Sequence, residues 1–418
     1  VQVQITLTYQ LAGESHSVTT YKTSTLYRRT ALSWDDSRKL AAFIMPNEEV
    51  VSQFSHRVAS AQAGQGDFRL SSGFLRAAAI CDAVGSYGIE YIEDPSSPIT
   101  SVLENADVVD TVRFPRTTLY YQSGDCDDST ALLCSLLESA GVPTAIMTSP
   151  GHVFFAFDTG EPSSNAWQYS SEACETVIHD RTVWIPVEAT ILKEGFFTAW
   201  EEASKLVARY SALGELEFLP VREAWGTYPA LPLPESAFTI AEPAPERVGR
   251  ALDATFGAVK DSLYKKVVAA LTANLERAGG RSRARLMNKL GILHARFGED
   301  DEAEEVFREA LDTAPSSVSA YVNLANLKLL QNKPKEALSL LEQGKRLRPE
   351  SVVINLLLAK TYHQTGNSTK AKDHYRLVEK QSPEAAKSIA YIQGEGGGGS
   401  ARASEAAKQE PFYWDVEE

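Results

Sequence analysis

Gly124-Asp125-Cys126-Asp127-Asp128-Ser129 runs straight into Ala131-Leu132-Leu133-Cys134-Ser135-Leu136-Leu137. The stretch predicts a helix that begins at a thiol and is apolar behind it. Unpaired N–H groups and partial positive charge at a helix N-terminus favour a thiolate and can hold a developing oxyanion. Downstream, Gly151-His152-Val153-Phe154-Phe155-Ala156-Phe157 and Trp184-Ile185-Pro186-Val187-Glu188-Ala189-Thr190 each read as a strand with one ionisable residue among apolar ones. That order makes Cys126 the candidate nucleophile, His152 the candidate general base and Glu188 the candidate orienting acid.

Each of the three also has a plainer reading. Cys126 would be a small buried residue, His152 a hydrogen-bonded core histidine and Glu188 an ordinary strand-end carboxylate. Asp125, Asp127 and Asp128 around Cys126 suit a partly solvated cleft better than a dry core, and Gly124 leaves room for a substrate backbone. Cys134, among leucines, reads as structural. The three aspartates oppose a thiolate beside them. A helix terminus supplies about 0.3–1 kcal/mol, less than the roughly 1.36 kcal/mol of one pKa unit. An imidazolium partner is therefore required, and His152 fills that role. His179, in the polar-looking His179-Asp180-Arg181, is its competitor. For an oxyanion, the Cys126 N–H is one donor, with Gln122 or Tyr121 as the other candidate.

Outward from this stretch, residues 1–34 alternate apolar and polar (Val3, Ile5, Leu7, Tyr9, then Val18, Tyr21, Leu26) and predict a two-strand β unit with one buried face. Leu40, Phe43 and Ile44 before Pro46, and Val50, Val51, Phe54 and Val58 after it, share helical faces. A second helix carries Phe74, Leu75, Ala78 and Ile80 and ends near Gly85, and the Cys126 helix stops at Gly141-Val142-Pro143. Short strands around 145–147, 153–157 and 183–187 supply a small sheet, with a helix from Phe196 to Ala208. Six prolines between 214 and 247 predict a semi-rigid connector.

Beyond it, Gly291, Ala325 and Ala359 expose a period of 34 residues, repeated at Ala303, Ala337 and Ala371, at Phe307, Leu341 and Tyr375, and at Pro315, Pro349 and Pro383. This spacing resembles the tetratricopeptide repeat family. Units 284–317, 318–351 and 352–385 follow, with a helical cap from 248 to 280, because one repeat cannot bury its apolar face alone. Residues 393–418 hold a Gly-rich stretch read as a flexible tether, ending Pro411-Phe412-Tyr413-Trp414-Asp415-Val416-Glu417-Glu418. Those aromatics either dock on their own domain, remain unstructured or bind a partner.

The blocks around Cys126, with Leu136-Leu137-Glu138-Ser139-Ala140-Gly141-Val142-Pro143-Thr144, Gly151-His152-Val153 and the Glu188 strand, resemble the bacterial transglutaminase-like superfamily. Phe114-Pro115-Arg116-Thr117-Thr118-Leu119 is similar to the approach segment of its cysteine-peptidase members. The resemblance spans about 35–210. It implies an α+β papain/transglutaminase-like core over 35–213, and Cys126, His152 and Glu188 as its triad. The chain departs from the family in Glu188, where aspartate is usual, and in Val153, where an aromatic is usual. The implied chemistry is attack on an amide carbonyl to give a thioester, followed by water or a lysine amine. The expected fold class is thus multidomain: the short β unit, this α+β core and an all-α repeat array.

Forty-one basic against 55 acidic residues, a formal charge of -14, argue against long-range attraction to nucleic acid. No apolar run reaches the roughly 18 residues of a spanning helix. Four cysteines without CxxC spacing, and no Asp-x-Asp-x-Asp-Gly loop, imply no metal and no cofactor. The chain starts at Val1 rather than methionine, which with its strand-rich beginning and the family's habits leads to an expectation of a removed leader and a periplasmic or cell-surface location. Two functions compete: a thiol amide hydrolase or acyl transferase whose repeats recruit a protein or peptide substrate, and a non-catalytic scaffold whose repeats bind a protein partner.

Overall fold

The computed structural model describes residues 1–23, 25–61, 68–93, 109–169, 176–234, 239–241, 244–393 and 414. Strands β1 (Gln2–Leu11) and β2 (Glu14–Thr23) form an antiparallel hairpin in continuous register. Its turn uses positive φ at Ala12 (53°) and Gly13 (90°), the two-residue geometry whose twist matches the strands. The expected buried face is not there. Val3, Ile5, Leu7 and Tyr9 share one face with Val18, yet Leu7 is 63% exposed and Val18 55%. Alternation fixes which side chains share a face; it cannot say whether anything covers that face.

Two short pairings follow: β3 (Ala31–Leu32) with β5 (Asp110–Thr111), and β4 (Glu90–Tyr91) parallel to β6 (Ser123–Gly124). The central sheet is antiparallel, with strand order β11, β7, β8, β10, β9. Its strands are β7 (Thr144–Ser149), β8 (His152–Pro162), β9 (Val177–His179), β10 (Thr182–Val187) and β11 (Glu217–Pro220). On one face Ile146, Val153, Phe155, Phe157, Val183 and Ile185 join the main core, which also holds the apolar residues of the two helices opposite. On the other, Met147, Phe154, Ala156 and Trp184 pack with Ala203 and Val207. Both faces are buried, so these strands read as nearly continuous apolar runs.

The helices of this region are α1 (Glu49–Ala61), α2 (Ser72–Tyr87), α3 (Pro115–Tyr121), α4 (Cys126–Ser139), α5 (Phe196–Leu213) and the single turn α6 (Val221–Ala224). The residues from Ser37 to Phe43 form a 3-10 turn. Gly85 does not end α2, which runs on to a left-handed Gly88. Its missing side chain serves packing instead: a Cβ there would lie 2.2 Å from the Leu192 carbonyl oxygen.

The proline-rich stretch 214–247 is no detached connector. Glu217–Pro220 pairs with β7 as a sheet edge, where Pro220 sits at the strand end and its missing N–H costs least. Trp225 Nε1 donates to the Ala41 carbonyl at 2.9 Å, and Arg116 to that of Pro234 at 3.0 Å. The helices read as a cap, α7 (Pro245–Ala258) and α8 (Lys265–Arg277), are joined by a π turn, Val259–Tyr264. They bridge rather than merely cover. Thr255 reaches Asp82 of α2, Phe256 stacks on Phe68 at 4.8 Å, and Tyr264 meets His294 of the next helix at 2.8 Å.

The array consists of α9 (Gly280–Arg296), α10 (Asp300–Thr313), α11 (Val318–Leu330), α12 (Pro334–Leu347), α13 (Val352–Gln364) and α14 (Ser368–Gln381), followed by a short α15 (Pro383–Ser388). Each small-residue position is where two helices meet. At Gly291 a Cβ would lie 2.6 Å from the Phe307 ring, so this unit needs glycine opposite its largest partner. Among the described residues no helix is long and apolar enough to cross a membrane.

Candidate functional site

Asp125 caps α4: its Oδ1 accepts from the Asp128 N–H at 3.3 Å, which fixes where the helix begins and puts Cys126 in its first turn. Gly124 has a different role from the one expected. A Cβ there would strike the Asp128 Cβ at 2.7 Å and approach Thr118 at 3.2 Å. The glycine lets the first turn pack closely against Asp128 and Thr118.

His152 opens β8, and Glu188 immediately follows β10, two neighbouring strands of the sheet. His152 Nε2 and Glu188 Oε2 are 2.6 Å apart. Glu188 Oε1 accepts from the Thr190 N–H at 3.0 Å and the Thr190 hydroxyl at 2.6 Å. Burial works to raise the Glu188 carboxyl, but the His152 and Thr190 bonds outweigh it and hold the group below the usual glutamate range. The extra methylene of glutamate is thereby accommodated. The acid stands just past the strand end, clamped on one oxygen and turned to histidine with the other. With Nε2 engaged by Glu188, Nδ1 is the remaining ring nitrogen.

Cys126 reaches the same corner from the helix side, and the Val153 backbone N–H donates to its sulfur. The His152 ring stacks on Phe154, 5.9 Å between centroids, at the end of the sheet face that carries Trp184. The structure thus brings histidine to acid directly, and the sulfur to the backbone one residue beyond the histidine. Cys126 is 4% exposed, whereas the His152 side chain is 27% exposed, so the site opens on the imidazole side. Burial first, then the charges of Asp125 and Glu188, push the thiol up to about 12 against the pull of the Val153 and Asp127 N–H groups. The resting sulfur is a thiol and needs a proton acceptor to react.

The acidic run carries less charge than its sequence indicates. Burial, then a hydrogen bond shared with Asp125, pushes Asp127 well above the usual carboxylate range. Asp128, raised to about 7 chiefly by burial, accepts the Arg113 N–H at 2.5 Å. The oxygens of these three aspartates lie within 4.8 Å of one another, as do the donors of His179, Asp180 and Glu223. Hydrogen bonds already account for the first group without a cation.

Of the oxyanion candidates, Gln122 commits its amide to the Tyr87 carbonyl at 3.0 Å, and Tyr121 is 63% exposed with its ring edge-on to Tyr120. His179 is not in a loop but ends β9, an edge strand separated from the central β8 of His152 by β10, with its ring against Trp184 and Phe218. Cys134 is fully buried, and Cys81, Cys126 and Cys134 are all unpaired; Cys174 lies outside the described residues.

Tyr91 is the residue that sequence reasoning missed. β4 pairs with β6 so that Tyr91 stands opposite Gly124, and Ile92 donates to the Gly124 carbonyl at 3.0 Å. The Tyr91 phenol is pushed up to about 12 by burial, and next by the charges of Cys126, Glu93, Asp125 and Glu188. Tyr91 is nevertheless 52% exposed, and what lies beside the start of α4 is its strand. No local pattern marks it, since its partner strand is more than thirty positions away.

Comparison with known proteins bears on the other end of the chain. Residues 284–327 and 353–384 match the tetratricopeptide repeat family. Mouse Tetratricopeptide repeat protein 8 is 31% identical over 104 residues, which are 25% of this chain and 20% of that protein. The chain thus matches about a fifth of that relative's length. A solved structure described as MamA RS-1 ArsTM double mutant is similar at 16% identity over 36% of this chain and 84% of its own, with a TM-score of 0.28. The C-terminal region of this chain, residues 284–384, is built of tetratricopeptide repeats.

Proposed function

We propose that residues 35–213, completed by β11, form a papain/transglutaminase-like α+β core acting as a thiol-dependent amide hydrolase or acyl transferase, and that the repeats hold its protein or peptide substrate. The observation that carries this reading is the His152–Glu188 hydrogen bond of 2.6 Å at the corner where the Cys126 sulfur accepts the Val153 N–H. A histidine fixed through Nε2 has one orientation and one tautomer to offer, which is what a general base requires.

In the proposed reaction His152 Nδ1 takes the thiol proton as the sulfur attacks the carbonyl carbon of an amide. The oxyanion forms near the first N–H groups of α4. On collapse the C–N bond breaks, and the imidazolium returns the proton to the leaving amine. The resulting thioester is opened by water or a lysine amine, His152 removing the nucleophile's proton and restoring the thiol. Glu188 supports the transient imidazolium throughout.

The test is mass spectrometry of the intact chain during incubation with a glutamine- and lysine-containing peptide pool. A covalent adduct on the Cys126 peptide, absent from equally folded Cys126→Ala and His152→Ala chains, is expected. An adduct that persists in Cys126→Ala, or none under any condition, would overturn the reading. A second reading, a scaffold whose α/β region is structural, is favoured by the deep burial of the sulfur and by the family matches falling on the repeats. It predicts partner retention unchanged by Cys126→Ala, with no turnover.

A further inference from the structure

Trp414 is 5% exposed although it lies beyond the Gly-rich stretch that follows the last helix. Its indole sits in a cluster with Ile292, Ala295, Ala303, Phe307, Leu324 and Leu327, and stacks on Phe307 with 6.4 Å between centroids and 19° between planes. The socket is made by α9, α10 and α11, the two helices of the first repeat and the leading helix of the second. Trp167 from the α/β region packs along its edge.

The socket is particular to this register. One period on, Ile292 becomes Asn326, Ala295 becomes Leu329 and Leu327 becomes Thr361. A second socket built from those residues would put a branched side chain and two polar groups where the indole lies. Ala295, where the next unit has Leu329, leaves the volume, and Phe307, where the next unit has Leu341, supplies the stacking face, so the first unit departs from the repeat pattern in the way an aromatic anchor needs. A buried indole is a typical binding hot spot. Here the chain supplies its own.

We propose that this socket is a peptide-binding site for an indole-anchored acidic segment, and that Trp414 of the same chain is its resident, displaceable occupant. The residues after the anchor, Asp415-Val416-Glu417-Glu418, define the chemical class of the competitor: a partner segment presenting tryptophan next to carboxylates. A tethered end competes at an effective concentration of order mM, so an outside segment succeeds only if it binds more tightly or is held elsewhere on the array. The inference rests on reading the repeats as the partner-binding part and is independent of the thiol chemistry.

The experiment uses the full chain and a fluorescein-labelled peptide of residues 411–418, followed by anisotropy. Binding at least tenfold tighter to Trp414→Ala than to the unaltered chain, and lost when the peptide's tryptophan is replaced by alanine, is expected. Equal binding to both chains, or none to Trp414→Ala, would overturn the proposal. Ala295→Leu adds the side chain that the next unit carries at the same position, and the doubly altered Ala295→Leu/Trp414→Ala chain, once its circular dichroism and melting are shown to match those of Trp414→Ala, should lose the peptide. Retention there would also overturn it. Should Trp414→Ala fail to fold, 5-fluorotryptophan in the unaltered chain serves: unlabelled peptide at mM concentration should shift the Trp414 resonance toward its solvent-exposed value, and an unmoved signal counts against the proposal. A dimer that dissociates on Trp414→Phe would place the indole in a second copy and refute closure within one chain. Carrying Cys126→Ala throughout should change none of these results, so failure here and failure of the catalytic reading remain distinguishable.

Discussion

The repeat array and the central sheet region both bury apolar residues, but by opposite means. In the array, Ala303, Ala337 and Ala371 are fully buried by neighbours at fixed sequence distances, so one unit repeats the contacts of the last. In the sheet region, the corner at Cys126 is reached by His152 from β8 and Glu188 from the end of β10 through one long-range pairing, and by the β4 strand of Tyr91 through another. Periodic packing makes a surface that can be extended; non-periodic packing concentrates distant groups at one point. Under the proposed function, the first kind of packing would grip one segment of a protein while the second acts on another.

The two regions nevertheless share a core. The apolar cluster that begins at Leu32 continues through the sheet and the bridging helices to Ala320 of the second repeat. Arg69 Nη1 donates to the Ala295 carbonyl at 2.9 Å and pairs with Asp300, and Arg296 Nη1 lies 2.8 Å from Glu161 of β8 with its side chain 4% exposed. Phe307→Ala, which empties the largest ring from the first repeat, should therefore cost about 3–5 kcal/mol. Calorimetry should show one transition moving as a whole; two separated transitions would mean that the regions fold independently. Glu161→Gln leaves Arg296 buried without a counter-charge and should cost about 3 kcal/mol. Denaturant unfolding followed at the sheet and at the repeats would show whether both feel that loss.

Asp82 sharpens the comparison with a smaller, pH-dependent effect. It sits on α2, accepts from the Phe196 N–H at 3.0 Å and the Thr255 hydroxyl at 3.1 Å, and its other oxygen has no hydrogen-bond partner among the described residues. Burial raises its carboxyl to about 7 against those two bonds. Below about pH 4 the group is protonated in both folded and unfolded chains. Between there and pH 7 only the folded chain retains the proton, so stability falls as pH rises through that window. Asp82→Asn should melt like the parent near pH 4 and be more stable by of order 2 kcal/mol at pH 8.5. A variant that parallels the parent at both values would show that the carboxyl does not ionise on that scale.

The array was readable from the sequence because the period of 34 residues is also the period of its helices: its second helices begin at Asp300, Pro334 and Ser368. The strands carrying His152 and Glu188 were readable because apolar runs bracket one polar residue in each. What was hidden depended on partners far along the chain. β11 lay inside a proline-rich stretch, yet an edge strand needs only one row of paired N–H groups. Tyr91 belongs to a strand of two residues whose partner precedes Cys126. The hairpin's alternation was seen but not its exposure, because a pattern specifies a face and not what lies against it.

The most direct test of the thiol centre is the alkylation rate of each cysteine by iodoacetamide near neutral pH, read by mass spectrometry in the parent and in His152→Ala. A buried thiol raised to about 12 reacts only if a neighbouring base takes its proton. The account predicts that Cys126 is modified at least tenfold faster than Cys134, and that His152→Ala removes most of that difference. Cys126 and Cys134 reacting alike, or a Cys126 rate indifferent to the loss of His152, would contradict it.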